Sequence, residues 1–193
     1  RFAALVRSCP RYSAVQFRCQ DGADASAVVG PALGGRKWLS DGRDAVVFLP
    51  GEEGAEAQGW AAQVVRRLRQ AGHGSELAAG VCAFPCGDFS RSEVLLNCRK
   101  ALYHATFLAD AEAVLFDAVS LNISGDVYFG DGDLARAVSE YRRGLKLDGS
   151  DVNLHNSLGV TWAMMDKPGA AAECFERALA CGGDNFMALY NLG

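Results

Sequence analysis

The last third of the chain repeats itself every 34 residues. Gly125, Gly159 and Gly193 keep that spacing, and so do Tyr128 and Trp162, Ala137 and Ala171, and Tyr141 and Phe175. A strict period of this length marks stacked copies of one small unit, none of which can bury its apolar face alone. Within a unit the apolar residues recur at helical spacing. Leu154, Leu158, Trp162 and Met165 form one run, which Lys167-Pro168-Gly169 breaks. Ala171, Cys174, Phe175, Ala178 and Leu179 form a second, which Gly182-Gly183 ends. Gly130-Asp131-Gly132-Asp133 makes the same break one period earlier. Asp131 and Asp133 are turn residues in this reading, because the Glu of a calcium loop does not follow at its offset. Each unit is therefore a helix pair. Small residues at fixed places let the two backbones approach, and aromatics fill the space between them.

This small–aromatic–small–aromatic order at a 34-residue period resembles the tetratricopeptide repeat (TPR) family. The resemblance covers residues 118–151 and 152–185 and the start of a third unit at 186. It implies an all-α solenoid of helical hairpins whose first helices line a concave side that grips peptides. The matching positions are Val119, Asn122, Asp126 and Phe129, then Asn153, Asn156, Val160 and Ala163, then Met187 and Tyr190. Of these, Asn122, Asp126, Phe129, Asn153, Asn156, Val160 and Tyr190 are the expected peptide-binding residues. Asn122 and Asn156 share one repeat position, where paired amides suit a peptide backbone; simple solvation is the other reading. The Lys and Arg residues with which some TPR proteins clamp a C-terminal carboxylate are absent from these positions, so a carboxylate ligand is not expected. Phe186, Leu189, Tyr190 and Leu192 are expected to pack on the second unit. With no partner helix in the sequence, that end is a candidate for self-association.

Residues 1–117 read as strands alternating with helices. Tyr12–Cys19 (YSAVQFRC) and Ala45–Leu49 (AVVFL) are strand candidates, the second stopped by Pro50-Gly51. Over Glu52–Gln70, Ala57, Trp60, Ala61, Val64 and Leu68 recur at helical spacing, with acids early and Arg66, Arg67 and Arg69 late, as the helix dipole favours. Leu77–Phe84 is a further strand. Ser90–Leu108 is a helix with Val94, Leu95, Cys98, Ala101, Leu102 and Ala105 on one stripe, and Ala113–Phe116 is a last strand. Residues 20–44, rich in Gly, Asp and Ala, give only a weak signal. The fold class is α+β, or α/β on the alternation alone, followed by the helical repeats.

Gly80–Ala105 (GVCAFPCGDFSRSEVLLNCRKALYHA) and Asp44–Gly51 (DAVVFLPG) resemble the GGDEF family of diguanylate cyclases, in which a strand with a Gly and a later Pro leads to a helix containing Ala-Leu-Tyr. Ala101-Leu102-Tyr103 match that tripeptide, and Asp41-Gly42-Arg43-Asp44-Ala45 stands where Gly-Gly-Asp-Glu-Phe belongs. The resemblance spans roughly residues 12–117 and implies a truncated nucleotidyl-cyclase-like sheet. It also implies that the activity is lost. The family holds Mg²⁺, a hard cation that needs acidic oxygens, with one acid on the first strand and one in the turn. The first place here is Arg18, and Asp44 replaces the turn Glu. Only Gly42 of the two nucleotide-approaching glycines survives. The phosphate-binding Lys is replaced by Thr106, and the Asp two residues before Ala-Leu-Tyr by Arg99. Ala32 and Gly35 occupy the product-inhibition site. The segment from Cys19 to Asp41 is short for two helices, so part of the fold is expected to be missing. A phosphodiester-forming site is not expected without metal ligands and a phosphate lysine.

Composition narrows the alternatives. Half of the 193 residues are hydrophobic and 22% are charged, which supports a packed core. The net charge is −4. Residues 1–50 hold seven Lys/Arg against four Asp/Glu, residues 51–117 six against nine, and residues 118–193 six against ten. No segment is basic enough for binding a phosphate backbone, so nucleic acid is not an expected partner. No apolar run of about 18 residues exists for a membrane helix. The chain begins at Arg1 with no signal layout and reads as a piece of a longer protein. Seven cysteines, Cys82-x-x-x-Cys86 without a second pair, and three histidines do not make a zinc framework. Buried reduced thiols in a cytoplasmic protein, with Cys174 and Cys181 in a helix core, are expected instead. His155 is assigned no role. The expectation is a bacterial-type signalling scaffold with no catalytic residue, metal or cofactor, binding a protein or peptide partner through the repeats. A guanine-nucleotide or cyclic di-GMP sensor is the alternative, and an active cyclase a weaker one.

Overall fold

The structure, a computed structural model, describes residues 6, 8–19, 21–40, 43–73, 76–108, 110–182 and 186–192, the last without the side chains of Phe186, Met187 and Leu192. The chain divides into two compact units, Arg1–Phe116 and Asp117–Gly193.

In the first unit, strands β1 (Tyr12–Cys19), β2 (Lys37–Ser40), β3 (Asp44–Pro50), β4 (Leu77–Phe84) and β5 (Ala113–Leu115) form one sheet in the order β2-β3-β1-β4-β5. Every pairing is antiparallel except β4 with β5. Helices α1 (Ala25–Val29), α2 (Gly54–Gln70) and α3 (Val94–Ala105) complete the unit, making it α+β. β1 lies at the centre and is buried along most of its length, as its apolar content requires. Its alternation divides the sheet's two faces. Val15, Phe17 and Cys19 join Val47, Leu49, Ala57, Ala61, Val65 and Val81 in the main core. Tyr12, Ala14, Gln16 and Arg18 point the other way, where α3 crosses β4. That crossing is close because residue 80 is glycine: a Cβ there would stand 2.0 Å from the Cys98 carbonyl oxygen. The Cys98 thiol donates to the Ala14 carbonyl at 3.2 Å.

Local signals set the helix ends. Glu53 and Glu56 form a capping box on α2, and Arg67 and Arg69 occupy its last turn. Ser90 and Glu93 form a second box on a 3₁₀ turn over Arg91–Glu93. α3 therefore starts at Val94 rather than Ser90, and it ends at Ala105 rather than Leu108. Leu95, expected on its buried stripe, is exposed. The weak stretch 20–44 contains α1 and the edge strand β2. The first is a single short turn capped by Asp24, and the second is exposed at every residue, so neither imprints a hydrophobic period.

The second unit contains α4 (Ala118–Gly130), α5 (Leu134–Leu147), α6 (Val152–Met164), α7 (Pro168–Gly182) and α8 (Phe186–Leu192). Asp117 and Asp151, one period apart, cap α4 and α6 by accepting from the backbone N–H of Ser120 (2.8 Å) and Leu154 (2.9 Å). Asp133 caps α5 in the same way, so the acids at the break are turn residues. α4 pairs with α5 and α6 with α7. Each pair closes on one contact: a Cβ at Gly125 would lie 2.3 Å from the Tyr141 ring, and one at Gly159 would lie 2.5 Å from the Phe175 ring. Ala137, Tyr141, Leu154 and Leu158 share one core cluster, and Ala171, Phe175, Ala178 and Ala188 another. His155 is buried, its Nε2 3.0 Å from the Gly149 carbonyl. Cys19, Cys82, Cys98 and Cys174 are buried free thiols and Cys9 and Cys86 half-buried ones. Cys181 is exposed, contrary to the expected core position, because the helix end turns it outward.

The glycine contact predicts the effect of filling it. Helix propensity alone favours Gly159→Ala by about 1 kcal/mol. Phe175 is 4% exposed and the added Cβ would meet its ring, so overpacking costs about 1–3 kcal/mol. Urea denaturation is expected to show a net loss of up to about 2 kcal/mol for Gly159→Ala. A stabilised variant would contradict the packing.

Candidate functional site

Two places inherit functional expectations, one in each unit. In the sheet unit, the register of β1 and β3 sets Arg18 directly opposite Asp44. The Arg18 guanidinium donates through Nε to Asp44 Oδ1 and through a terminal nitrogen to Oδ2, each at 2.6 Å. Gln16, two residues earlier on the same face, donates its side-chain amide to Oδ2. The Asp44 side chain is 1% exposed, whereas that of Arg18 is 36% exposed. Both oxygens of the one acid left at the expected metal position therefore face donors of the protein itself. Thr106, at the phosphate-lysine position, donates its hydroxyl to the Tyr103 carbonyl at 2.7 Å. Asp41 and Gly42 of the expected turn lie outside the described residues. Among the described residues no group of three or more His, Cys, Asp or Glu side chains is arranged to hold a metal ion.

Sequence reading placed a cation at position 18 but missed its pairing with Asp44, since that depends on strand register. An Arg and an Asp flanking two buried strands were the available signal. Removing the cation leaves Asp44 buried without its charge partner, though Gln16 still donates to it. Arg18→Met is expected to lower unfolding free energy by about 2–3 kcal/mol, near the low end for a broken buried pair because Arg18 is partly solvated. Chemical denaturation checks this, and a change below about 0.5 kcal/mol, the scale of an exposed pair, would contradict it.

In the helical unit, six of the seven expected peptide-binding residues line a single groove of about 320 Å³: Asn122, Asp126 and Phe129 from α4, and Asn153, Asn156 and Val160 from α6. Tyr141 of α5, Ser157 of α6 and Asn191 of α8 complete the lining. Helical geometry explains the grouping: Asn122, Asp126 and Phe129 are spaced i, i+4, i+7, and Asn153, Asn156 and Val160 i, i+3, i+7, so each set shares one face. Tyr190, the seventh, is 75% exposed and does not line the groove; its neighbour Asn191 does. Val119 and Ala163 are exposed outside the lining, and the Met187 side chain lies outside those described.

The chemistry of the groove is that of acceptors and amides. The Tyr141 hydroxyl donates to Asp126 Oδ1 at 2.8 Å. Asp126 is exposed as a residue, yet partial desolvation of its carboxyl by the neighbouring groups raises it above the usual range, and the Tyr141 hydrogen bond opposes that rise. Burial, followed by the Asp126 hydrogen bond, pushes the Tyr141 phenol upward in turn. Asn122 Oδ1 is buried and accepts no hydrogen bond from the described residues. No Lys, Arg or His stands among the described lining residues. Several of the unit's cations lie on aromatic rings instead: Arg136 over Tyr128, and Arg142 and Lys167 over Trp162. The groove presents hydrogen-bonding side chains, and among its described lining residues no histidine stands beside Ser157 as a base. Tyr141 and Ser157 as lining residues were not anticipated, because they face the groove from positions that the concave-helix rule does not select.

No family model and no curated protein matches the chain. Solved structures similar to it include TPR proteins and a GGDEF-type domain. The second TPR domain of Spaghetti (RPAP3), bound to the HSP90 peptide SRMEEVD, is 24% identical over 39% of this chain and 70% of its own, with a TM-score of 0.39. MamA is 18% identical over 39% of this chain and 44% of its own, also at 0.39. The active GGEEF domain of a diguanylate cyclase from Vibrio cholerae is 15% identical over 60% of this chain and 88% of its own, at 0.46. No helix among the described residues is long and apolar enough to cross a membrane.

Proposed function

We propose that this chain is a non-catalytic interaction module, in which the helical unit holds an extended segment of a protein partner and the sheet unit is a cyclase-like relic that serves as a folded platform. The observation that carries the reading is the groove itself. Residues at matching repeat positions converge on one concavity, and the side-chain amides among its lining can both donate to and accept from a peptide backbone. The Arg18–Asp44 pair supports the inert half. A carboxylate already bound by a guanidinium and an amide must give up those bonds before it can ligate Mg²⁺.

Panning a random dodecapeptide display library against the whole chain supplies a ligand, and fluorescence anisotropy then measures its affinity. Asn122→Ala combined with Asn156→Ala is expected to weaken binding about tenfold, the effect of losing one or two hydrogen bonds. Unchanged affinity would remove the groove from the account. Calorimetry with GTP and with cyclic di-GMP is expected to show no heat; binding of either would favour a nucleotide sensor.

A further inference from the structure

The groove carries one unbalanced charge, and that charge selects its ligand. Asp126 is the single ionisable carboxylate among the described lining residues, and no lysine, arginine or histidine accompanies it. Tyr141 engages Oδ1. That contact fixes the carboxylate and leaves Oδ2 as an acceptor. One helical turn earlier, Asn122 Oδ1 is a buried acceptor that no group among the described residues satisfies. Phe129, three residues after Asp126 and also in the lining, adds an aromatic wall. Two acceptors and a ring on one helix face need a ligand that brings several donors, positive charge and a flat surface.

We propose, on the reading that the groove binds peptide, that the Asn122–Asp126–Phe129 face is a subsite for an arginine side chain of the partner. A guanidinium is planar and carries five N–H donors, enough to reach both Asp126 and Asn122 while its stem lies along Phe129. A lysine ammonium meets the charge but does not match the flat, two-acceptor face, so it ranks second. A partner segment that presents carboxylates is repelled by Asp126.

The test uses the intact chain and peptides recovered from the dodecapeptide library. Recovered sequences are expected to share an arginine at one aligned position. Replacing that arginine by citrulline, which keeps the shape and removes the charge, is expected to weaken binding about 10–100-fold, the cost of one charge-assisted contact. Asp126→Asn keeps the shape of an exposed residue and should leave the fold intact, as a thermal melt verifies. On that variant the citrulline change is expected to cost less than about threefold, giving a coupling that a purely structural role would not produce. Recovered peptides without a basic consensus, or an equal citrulline penalty on both proteins, overturn the arginine subsite. If those same peptides lose affinity on the Asn122/Asn156 double variant, the groove itself stands. A library that yields no binder overturns the peptide reading and the subsite together.

Discussion

An aromatic ring laid against a bare Cα governs the geometry of the helical unit. Tyr141 on Gly125 and Phe175 on Gly159 occupy space that any side chain would claim, so each helix pair closes to a separation that only glycine permits. The rest of the unit depends on that closure. It sets α4 beside α5 and α6 beside α7, buries Ala137 and Ala171 between them, and leaves the outward faces of α4 and α6 to form one groove. Tyr141 serves both ends of this arrangement: its ring fills the glycine gap and its hydroxyl holds Asp126 at the groove. Fold and proposed site thus share a residue, and the asparagines reach their positions because the backbone beneath them is fixed.

The sheet unit depends on a different interaction. Arg18 and Asp44 face each other across two strands, and the pair closes over a side chain that is otherwise fully buried. A lone aspartate in that place would cost several kcal/mol of desolvation. The guanidinium offsets that cost by donating to both carboxylate oxygens.

The sequence made the helical unit legible because its signals are local and repeated. Glycines, aromatics and alanines at a 34-residue spacing fix both the helix boundaries and the inward faces. The concave residues followed from the same period, and six of seven meet in the groove. Tyr190 is 75% exposed outside the lining, and the groove takes the neighbouring Asn191 instead. In the sheet unit the long strands and α2 were readable from apolar runs and caps. α1 and β2 were not, since five residues and four exposed residues carry no period. The Arg18–Asp44 pair and the Tyr141–Asp126 hydrogen bond were also hidden, for they arise from register and from hairpin closure, which no single segment encodes.

The central claim is that this chain recognises its partner through the concave faces of α4 and α6. Nuclear magnetic resonance tests it most directly, because each asparagine side chain gives its own pair of amide signals. On titration with a library-derived peptide, the account predicts shifts at Asn122, Asn153, Asn156 and Asn191, with the backbone signals of β1, β3 and β4 unmoved. Shifts concentrated in the sheet unit, with those four amides unchanged, would contradict it.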